Sequence, residues 1–277
     1  MTDILQLYPA SQHEHSLKGL YLALKLHRQA PKSDILIYAN YIASVDGRIS
    51  LRDAKSGEFM VPASIANKRD WRLYQELAAQ ADVMLTSARY FRQLAKGKAQ
   101  DLLPVGTSPE YADLAEWRKQ QGLNRQPDVV VISNSLDIPA SALAQLEDRR
   151  VIVCTSEEAN QQKINQLQLL GISVLIAGKQ HVEGKRLKTL LIQQGYRSAY
   201  MIAGPEIHRT LLNTQVLDRL FLTTRLNLLA SDAFHTILNG DIQQPAELKL
   251  LSLYLDNATS QQQMFTQYAL NSKGEKT

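Results

Sequence analysis

Cysteine is almost absent from this sequence of 277 residues, in which Cys154 stands alone. A single cysteine cannot form a disulfide within the chain, and it excludes a zinc cluster built from several thiolates. The apolar run Val151–Cys154 predicts a buried strand, in which this thiol is a small hydrophobic side chain and not a nucleophile. A single cysteine agrees with a reducing compartment, and we expect a cytoplasmic protein.

Long apolar runs are missing as well, because the longest ones have only the length of a β-strand. A membrane-spanning helix needs about 20 consecutive apolar residues. We therefore expect a protein that makes no contact with a membrane. The segment Met1–Ile4 has no basic stretch leading into an apolar one, so we also expect no signal peptide.

Charge of one sign does not dominate, since 31 basic and 27 acidic residues give a net charge of +4. The sequence contains no run of Lys and Arg of the kind that binds nucleic acid, and we expect no nucleic-acid partner. Its six histidines show no metal-ligand spacing with supporting carboxylates, so we expect no metal site. One of them, His208, falls in a predicted helix, where we expect it at the surface or as a cap.

From Asp34 onward, short apolar strands alternate with helices of about ten residues. This pattern predicts an α/β fold with a mainly parallel central sheet that is covered by helices on both faces. The last two strands, Lys249–Asp256 and Gln263–Leu270, predict a C-terminal antiparallel hairpin. The predicted parallel strands are Ile35–Val45, Val83–Leu85, Val129–Ile132, Val151–Cys154, Ser173–Ile176, Ala199–Ile202 and Leu220–Leu226.

The first 33 residues differ from this pattern. We interpret residues 1–33 as an N-terminal arm with a short helix over Leu17–Arg28, which Pro31 ends. Residues 34–277 then form one domain. Its first long helix is predicted over Ser64–Gln80, with Ser64 as the N-cap.

Ligands of open parallel sheets bind beyond the carboxyl ends of the strands, so the strand ends are the places to search. Side chains alternate along the first strand, which puts Asn40 and Ser44 on one face, about 13 Å apart at about 3.3 Å per residue. A ligand or a neighbouring loop would satisfy these polar groups. The following Asp46-Gly47 is also a leading signal for a two-residue hairpin turn.

Two further strand ends carry candidate residues. Ala203, Gly204 and Pro205 lead from a strand into a helix, where free N–H groups make either an anion site or an ordinary loop. Thr86 and Ser87 end another strand, and their hydroxyls would contact a ligand or cap the next helix. Elsewhere, Arg69 and Arg72 share a helical face that would clamp a phosphate or lie in solvent.

Together, and in this order, these places resemble the reductase domain of the bifunctional deaminase–reductase of riboflavin biosynthesis and the related stand-alone pyrimidine reductases. The run Ser44–Ser50 is similar to the family's Ser-Leu-Asp-Gly-Lys/Arg-Ile-Ala signature, with Asn40 before it. Asp82–Leu85 is similar to its Asp-Ala-Ile-Leu strand. Met201–Pro205 is similar to its Val-Glu-Ala-Gly-Pro run, and Leu217–Leu220 to its Val-Asp-Glu-Leu run.

The resemblance implies a dihydrofolate-reductase-like fold, a homodimer, and an NADPH-dependent reduction of the ribosyl group of a phosphorylated aminopyrimidine, such as 5-amino-6-(5-phosphoribosylamino)uracil, to the ribityl form. It implies catalytic roles for Asn40, Ser44 and Asp46, and binding of the anionic substrate by Arg72. The residues implied to bind the cofactor are Gly47, Thr86, Ser87, Ala203, Gly204 and Pro205.

A second hypothesis is a non-catalytic relative that keeps the fold to bind a nucleotide or a protein. The strand-end Glu of the family is Ile202 in this sequence, and the family's Asp-Asp-Pro-x-Leu substrate motif has no counterpart. In its place the sequence has the loop-rich stretch 96–126. Binding and turnover of NADPH would separate the two hypotheses.

Overall fold

The structure, a computed structural model, describes residues 3–10, 13–146 and 148–270. Each unit of the predicted division into 1–33 and 34–277 therefore includes residues outside the described ones, namely 1–2 and 11–12 in the first unit and 147 and 271–277 in the second. That division stays a prediction, as do the homodimer and a role of the arm in it.

The elements alternate through the chain as the sequence predicts. The strands are β1 (Asp3–Tyr8), β2 (Glu14–Ser16), β3 (Leu36–Ser44), β4 (Ser50–Arg52), β5 (Phe59–Met60), β6 (Val83–Ser87), β7 (Asp128–Ile132), β8 (Val151–Thr155), β9 (Ser173–Ile176), β10 (Ser198–Met201), β11 (Arg219–Arg225), β12 (Phe234–His235), β13 (Leu248–Asp256) and β14 (Gln263–Leu270). The α-helices are α1 (Lys68–Ala79), α2 (Ala88–Ala95), α3 (Ala112–Gln120), α4 (Ala140–Leu143), α5 (Gln161–Leu169), α6 (Gly184–Gln193) and α7 (Pro205–Asn213).

Within the described residues, one sheet of eleven strands has the order β2-β1-β13-β14-β11-β3-β10-β6-β7-β8-β9. The seven strands from β11 to β9 are parallel to one another. β13 and β14 form the predicted antiparallel hairpin and join this sheet through β11. A small separate sheet, β12-β4-β5, lies in the segments that follow β3 and β11.

Helices cover both faces of the large sheet, because each face has its own apolar core. One core joins Tyr38 and Tyr200 of the sheet to side chains of α1, α2, α3 and α5. We call this face of the sheet the α1 face. The other core joins Ile37 and Met201 to α6 and α7. The predicted α/β architecture is therefore confirmed.

The arm contains more sheet and less helix than predicted. β1 pairs antiparallel with β13, and β2 pairs with β1, so the arm extends the large sheet. The predicted helix Leu17–Arg28 is wrong: two short 3₁₀ helices, Leu22–Leu24 and Leu26–Arg28, lie there. The backbone of this segment turns through positive φ at Gly19 and Lys25, which an α-helix does not allow.

The backbone of the arm is held by α1 instead of by an α-helix of its own. The Glu76 carboxylate accepts the N–H groups of Gly19 and Tyr21 at 2.6 and 2.9 Å. The Gln80 side chain accepts the N–H of Leu26 at 2.8 Å and donates to the carbonyl of Tyr21 at 2.8 Å. These buried side chains satisfy backbone groups that a helix would have paired internally.

The long helix α1 begins later than predicted. Its N-cap is Asn67 and not Ser64, since the Asn67 side chain accepts the N–H groups of Arg69 and Asp70 at 3.0 Å. Asn ranks with Ser as an N-cap residue, so residue type alone does not choose between the two positions.

Candidate active site

The three predicted strand ends meet at one edge of the sheet. β10 lies between β3 and β6 and is parallel to both, so the carboxyl ends of all three strands point the same way. The segments that leave them carry Asn40 and Ser44, Ala203–Pro205, and Thr86 with Ser87. The structure therefore brings the predicted residues, except Arg72, to one region.

Asn40 and Ser44 lie on the same face of β3, as the alternation predicts. Their neighbours Tyr41 and Ala43 belong to the core of the opposite face. Asn40 is half-buried beside the hydroxyl of Tyr200, whereas Ser44 is only 2 % exposed. Both side chains thus face α1 at the carboxyl end of the strand.

Asp46 ties the end of β3 to the segment after β11. Its carboxylate accepts the backbone N–H of Ala230 at 3.0 Å and that of Leu229 at 3.2 Å, and it pairs with Arg48 at 2.6 Å. The Ser44 hydroxyl donates to the same carboxylate. These hydrogen bonds, with that of Ser44 first, lower the pKa of Asp46 to about 2, so the group is a carboxylate at neutral pH.

The turn at Asp46 and Gly47 forms, but the two-residue hairpin does not. Gly47 has φ of +79°, and its N–H reaches the carbonyl of Ser44 at 2.9 Å. The strand that follows, β4, pairs with β5 and β12 and not with β3. The turn therefore leads the chain off the large sheet at the edge where the strands end.

The segment Ala203–Pro205 starts helix α7 in open space. Gly204 is the N-cap with an extended backbone, no side chain caps the helix, and an added Cβ would meet no atom within 4 Å. The carbonyl of Ala203 accepts the hydroxyl of Tyr41 at 3.3 Å, which fixes this corner against β3. The open start of a helix suits a phosphate, because the helix dipole favours an anion there.

Thr86 and Ser87 end β6 next to this corner. Thr86 is 1 % exposed, and Ser87 is half-buried at the N-cap position of α2. The Ser87 side chain makes no capping hydrogen bond. Ser87 therefore sits at the helix start without using its hydroxyl as a cap.

Arg72 is placed differently from the other predicted residues. It is 2 % exposed, and its guanidinium donates to Glu76 at 2.8 Å and to both carboxylate oxygens of Asp113 at 2.9 and 2.7 Å. Its neighbour Arg69 donates to Asp256 at 2.6 Å. The contacts of Arg72 join α1 to α3 and, through Glu76, to the arm. Substrate binding by Arg72 stays a prediction, and we leave Arg72 out of the function proposed below.

Polar residues of β11 and α1 complete the α1 face, and they were not among the residues predicted from the sequence. Thr223 and Arg225 on β11 pair in register with Ile42 and Ser44, and both are buried. Asp70, in the first turn of α1, is 8 % exposed and interacts with Thr223. The spacing of Asp70 in the sequence could have predicted its burial. Asp70 stands three residues before Leu73 and seven before Leu77, so it lies on the buried stripe of the helix.

We expected His208 at the surface or as a helix cap, but its side chain is buried. It is 1 % exposed on α7, stacks on Tyr41 with ring centroids 5.1 Å apart, and its Nδ1 lies 2.6 Å from the carbonyl of Ile237. Burial lowers its pKa, so the ring is neutral at pH 7. Cys154 is buried in β8 as predicted, and burial raises the pKa of its thiol to about 12.

Two features are absent from the described residues. None of their helices is both long and apolar enough to cross a bilayer. They also contain no group of three or more His, Cys, Asp and Glu side chains placed to hold a metal ion.

Comparison with curated proteins finds relatives at low identity. The chain is 23% identical over 184 residues to the 2,5-diamino-6-ribosylamino-4(3H)-pyrimidinone 5′-phosphate reductase of Archaeoglobus fulgidus, covering 66% of this chain and 77% of the relative. The enzyme of the same description from Aquifex aeolicus is 20% identical over 200 residues, or 72% of this chain and 80% of that one.

Comparison with solved structures confirms the fold class. The crystal structure of a pyrimidine reductase-like protein from Corynebacterium diphtheriae superposes with a TM-score of 0.69 at 19% identity, covering 94% of this chain and all of the other.

A sequence model described as the RibD C-terminal domain matches residues 36–254, which span β3 to most of β13. The chain therefore belongs to the RibD C-terminal domain family, the pyrimidine reductase family of riboflavin biosynthesis.

Proposed function

We propose that this protein is an NADPH-dependent reductase that converts the ribosylamino group of a pyrimidine 5′-phosphate to the ribitylamino group. The observation that carries the proposal is that Asn40 and Ser44 of β3 and Gly204, which follows the neighbouring β10, lie at the same edge of the sheet. Relatives described as reductases of such a substrate support it. Asn40 and Ser44 would contact the substrate, and Asp46 would hold the strand end in place.

The residues around Gly204 fit the diphosphate of a dinucleotide. Its backbone is extended, the space around it is open, and helix α7 starts there without a side-chain cap. Phosphates bind at such helix starts because the N–H groups and the helix dipole both favour an anion. Ala203, Gly204 and Pro205 would line the diphosphate, with Gly47, Thr86 and Ser87 nearby; the cofactor, when bound, supplies the hydride.

The phosphorylated substrate also has charge complementarity in this region. Arg225 ends β11 beside Ser44, and its guanidinium donates to the carbonyl of Gln262 at 2.6 Å. A guanidinium bound to a neutral carbonyl keeps its positive charge available to an anion nearby. We propose that this end of β11, rather than Arg72, binds the anionic substrate.

The direct test is the NADPH oxidation rate with 2,5-diamino-6-ribosylamino-4(3H)-pyrimidinone 5′-phosphate and, in parallel, the deaminated uracil substrate. We expect turnover with one of them and a lower kcat/KM with NADH than with NADPH. Absence of turnover with both substrates, together with measurable NADPH binding, would contradict the proposed reaction and favour the non-catalytic alternative.

A matched pair of variants tests the cofactor position. Gly204→Ala adds a methyl group in open space and keeps NADPH affinity within about twofold. Gly204→Asp puts a carboxylate where the diphosphate would lie, and we expect affinity to fall at least about tenfold, or about 1.4 kcal/mol. Asp is also a good N-cap, so α7 stays folded. Equal NADPH affinity of the two variants would place the cofactor elsewhere.

The non-catalytic alternative rests on one observation. Ile202, which stands where the family has a strand-end Glu, packs its half-buried side chain against the core of the α1 face. An apolar side chain at this position removes a polar contact from the sheet edge. NADPH binding with no turnover on either pyrimidine substrate is the result this alternative predicts.

A further inference from the structure

Asp70 is a buried carboxyl group with an unused oxygen. It lies in the first turn of α1, it is 8 % exposed, and its Oδ1 accepts no hydrogen bond from the described part of the chain. Buried polar atoms normally have partners, because an unpaired one costs about 1–3 kcal/mol. An unpaired carboxyl oxygen at a site edge therefore calls for an explanation.

The position of Asp70 relative to the strands is fixed by Thr223. The Thr223 hydroxyl interacts with the Asp70 carboxyl, and Thr223 pairs with Ile42 between β11 and β3. Ile42 lies between Asn40 and Ser44 along β3. Asp70 is thus held over the stretch of sheet that carries the two polar side chains assigned to the substrate.

The groups that face Asp70 carry no charge to pair with it. They are the phenols of Tyr21, from the arm, and Tyr200, from β10, with the hydroxyl of Thr223 from β11. Burial keeps both phenols protonated, since it raises the pKa of Tyr21 and of Tyr200 well above the ordinary value. These three neighbours of Asp70 are therefore uncharged at neutral pH.

The charged groups near Asp70 already have counter-charges or other partners. On α1, Arg69 pairs with Asp256 of β13 at 2.6 Å, and Glu76 pairs with Arg72 at 2.8 Å. Arg225 of β11 faces the same side and binds the carbonyl of Gln262. In this setting burial raises the pKa of Asp70 to about 6, and Thr223 acts in the opposite direction.

Other titratable groups of the region fit an acid role less well. Asp46 is ionised and its oxygens are occupied by Ser44, Arg48 and backbone N–H groups. Asp218 also has a raised pKa from burial, but it precedes β11 and accepts the N–H of Ile37, at the amino ends of the strands. His208 lies on the opposite face of the sheet.

We propose that Asp70 is the general acid of this site and protonates the ribose ring oxygen O4′ of the substrate as the C1′–O4′ bond breaks. The inference rests on the proposed function. Conversion of a ribosylamine to a ribitylamine adds a hydride to C1′, supplied by the nicotinamide cofactor, and a proton to O4′. Asp70 gives that proton, becomes a carboxylate, and takes a proton back from water.

The proposal explains the apolar setting of the carboxyl group. An acid that works near neutral pH needs a pKa close to that pH, and burial among neutral groups favours the protonated form of a carboxyl. The open Oδ1 is the atom that would meet the ring oxygen. Asn40 and Ser44, on the strand below, would hold the sugar hydroxyls.

The test is the pH dependence of kcat/KM with the ribosylaminopyrimidine 5′-phosphate. We expect a constant value below about pH 5 and a fall of about tenfold per pH unit above about pH 6. Asp70→Asn should lower kcat by about 10²–10⁴-fold and leave NADPH affinity unchanged. It should also remove the fall of kcat/KM at higher pH, which we call the pH limb. Asp218→Asn is the matched control, a buried carboxyl at the opposite edge, and should keep the limb.

Two further measurements do not depend on turnover by Asp70→Asn. Thr223→Val removes the group that lowers the pKa of Asp70, so the limb should move to higher pH. NMR titration of isotope-labelled aspartate carboxyls should show one resonance titrating near pH 6, absent in Asp70→Asn, that shifts when the pyrimidine substrate binds with NADP⁺.

The outcomes separate this inference from the proposed function. Two results would overturn the role of Asp70 and leave the reductase assignment standing. One is turnover by Asp70→Asn with the wild-type pH limb. The other is an Asp70 resonance that titrates near pH 4 and does not shift when the substrate binds. Absence of turnover by the wild-type protein at every pH would overturn both.

Discussion

The Asp46 carboxylate accepts the backbone N–H of Ala230 at 3.0 Å, and this contact joins two segments 184 residues apart in sequence. One segment leaves β3 and the other leaves β11, the two strands that carry the polar side chains of the α1 face. The pair therefore sets the spacing of the two chain segments that leave the sheet at the site edge.

Replacing Asp46 by Asn should weaken this connection and should lower NADPH affinity. The folded-state pKa of Asp46 is about 2, below the ordinary value near 4, so its contribution to stability is present above pH 4 and is lost as pH falls toward 2. Thermal unfolding of wild type and Asp46→Asn between pH 2 and pH 6 measures this. The melting temperatures should converge at the acid end; a gap that stays constant with pH would contradict it.

Asp70 should have the opposite effect on stability. Its folded-state pKa is raised from 3.8 to about 6, so the folded protein holds this proton more tightly than the unfolded chain, and stability falls as pH rises from about 4 to about 6. A difference of about two pKa units corresponds to about 3 kcal/mol as an upper value.

We therefore expect Asp70→Asn to be more stable than the wild type at pH 8, by up to about 3 kcal/mol, with the two proteins nearly equal at pH 4. Urea unfolding at both pH values measures the difference. A variant that is less stable than the wild type at pH 8 would show that the ionised carboxylate has a stabilising partner.

Arg72→Met should destabilise the fold without a specific effect on substrate binding. It leaves Glu76, which is fully buried, as an uncompensated charge, and breaking a buried ion pair costs about 3–5 kcal/mol. The double variant Arg72→Met with Glu76→Gln should recover part of the loss. Urea unfolding measures both, and KM for the phosphorylated substrate should change by less than about twofold. A large rise in KM in the folded variant would return Arg72 to the substrate site.

Gln80→Leu should loosen the arm. The side chain of Gln80 is fully buried and holds the N–H of Leu26 and the carbonyl of Tyr21, and loss of a buried partner costs about 1–3 kcal/mol for each group left unpaired. Hydrogen exchange should quicken at Leu26. Exchange at β8, toward the edge of the sheet opposite β1 and β2, serves as the control and should change less.

The architecture could be read from the sequence because local patterns set it. Apolar runs such as Val129–Ile132 and Val151–Cys154 have strand length and apolar character throughout, which a strand buried on both faces requires. The same reasoning found the C-terminal hairpin, and the alternation in β3 put Asn40 and Ser44 on one face. These inferences need only the neighbours of a residue along the chain.

The errors concern residues whose partners are far away in sequence. The arm lacks an α-helix because Glu76 and Gln80, more than 50 residues later, satisfy its backbone. The pairing of Arg72 with Asp113, 41 residues later, could not be foreseen either, although substrate binding by Arg72 stays a prediction. The burial of Asp70 against the sheet could not be foreseen without knowing that Thr223 lies opposite the first turn of α1.

Asp46-Gly47 shows how a correct local prediction can have a wrong consequence. The residue types predict a turn, and a turn forms with Gly47 at positive φ. A hairpin would also need the next strand to pair with β3. β11 and β10 already flank β3 in the sheet, so neither side of β3 is free for β4.

Cys154 has a practical consequence for following the site in solution. A thiol in the interior of β8 with a pKa of about 12 is nearly unreactive toward thiol-directed dyes at neutral pH. The natural chain is therefore already a background-free template for fluorescence labelling. One new cysteine at the exposed Leu228, two residues before the Ala230 contact, would carry a dye whose fluorescence can be followed as NADPH is added.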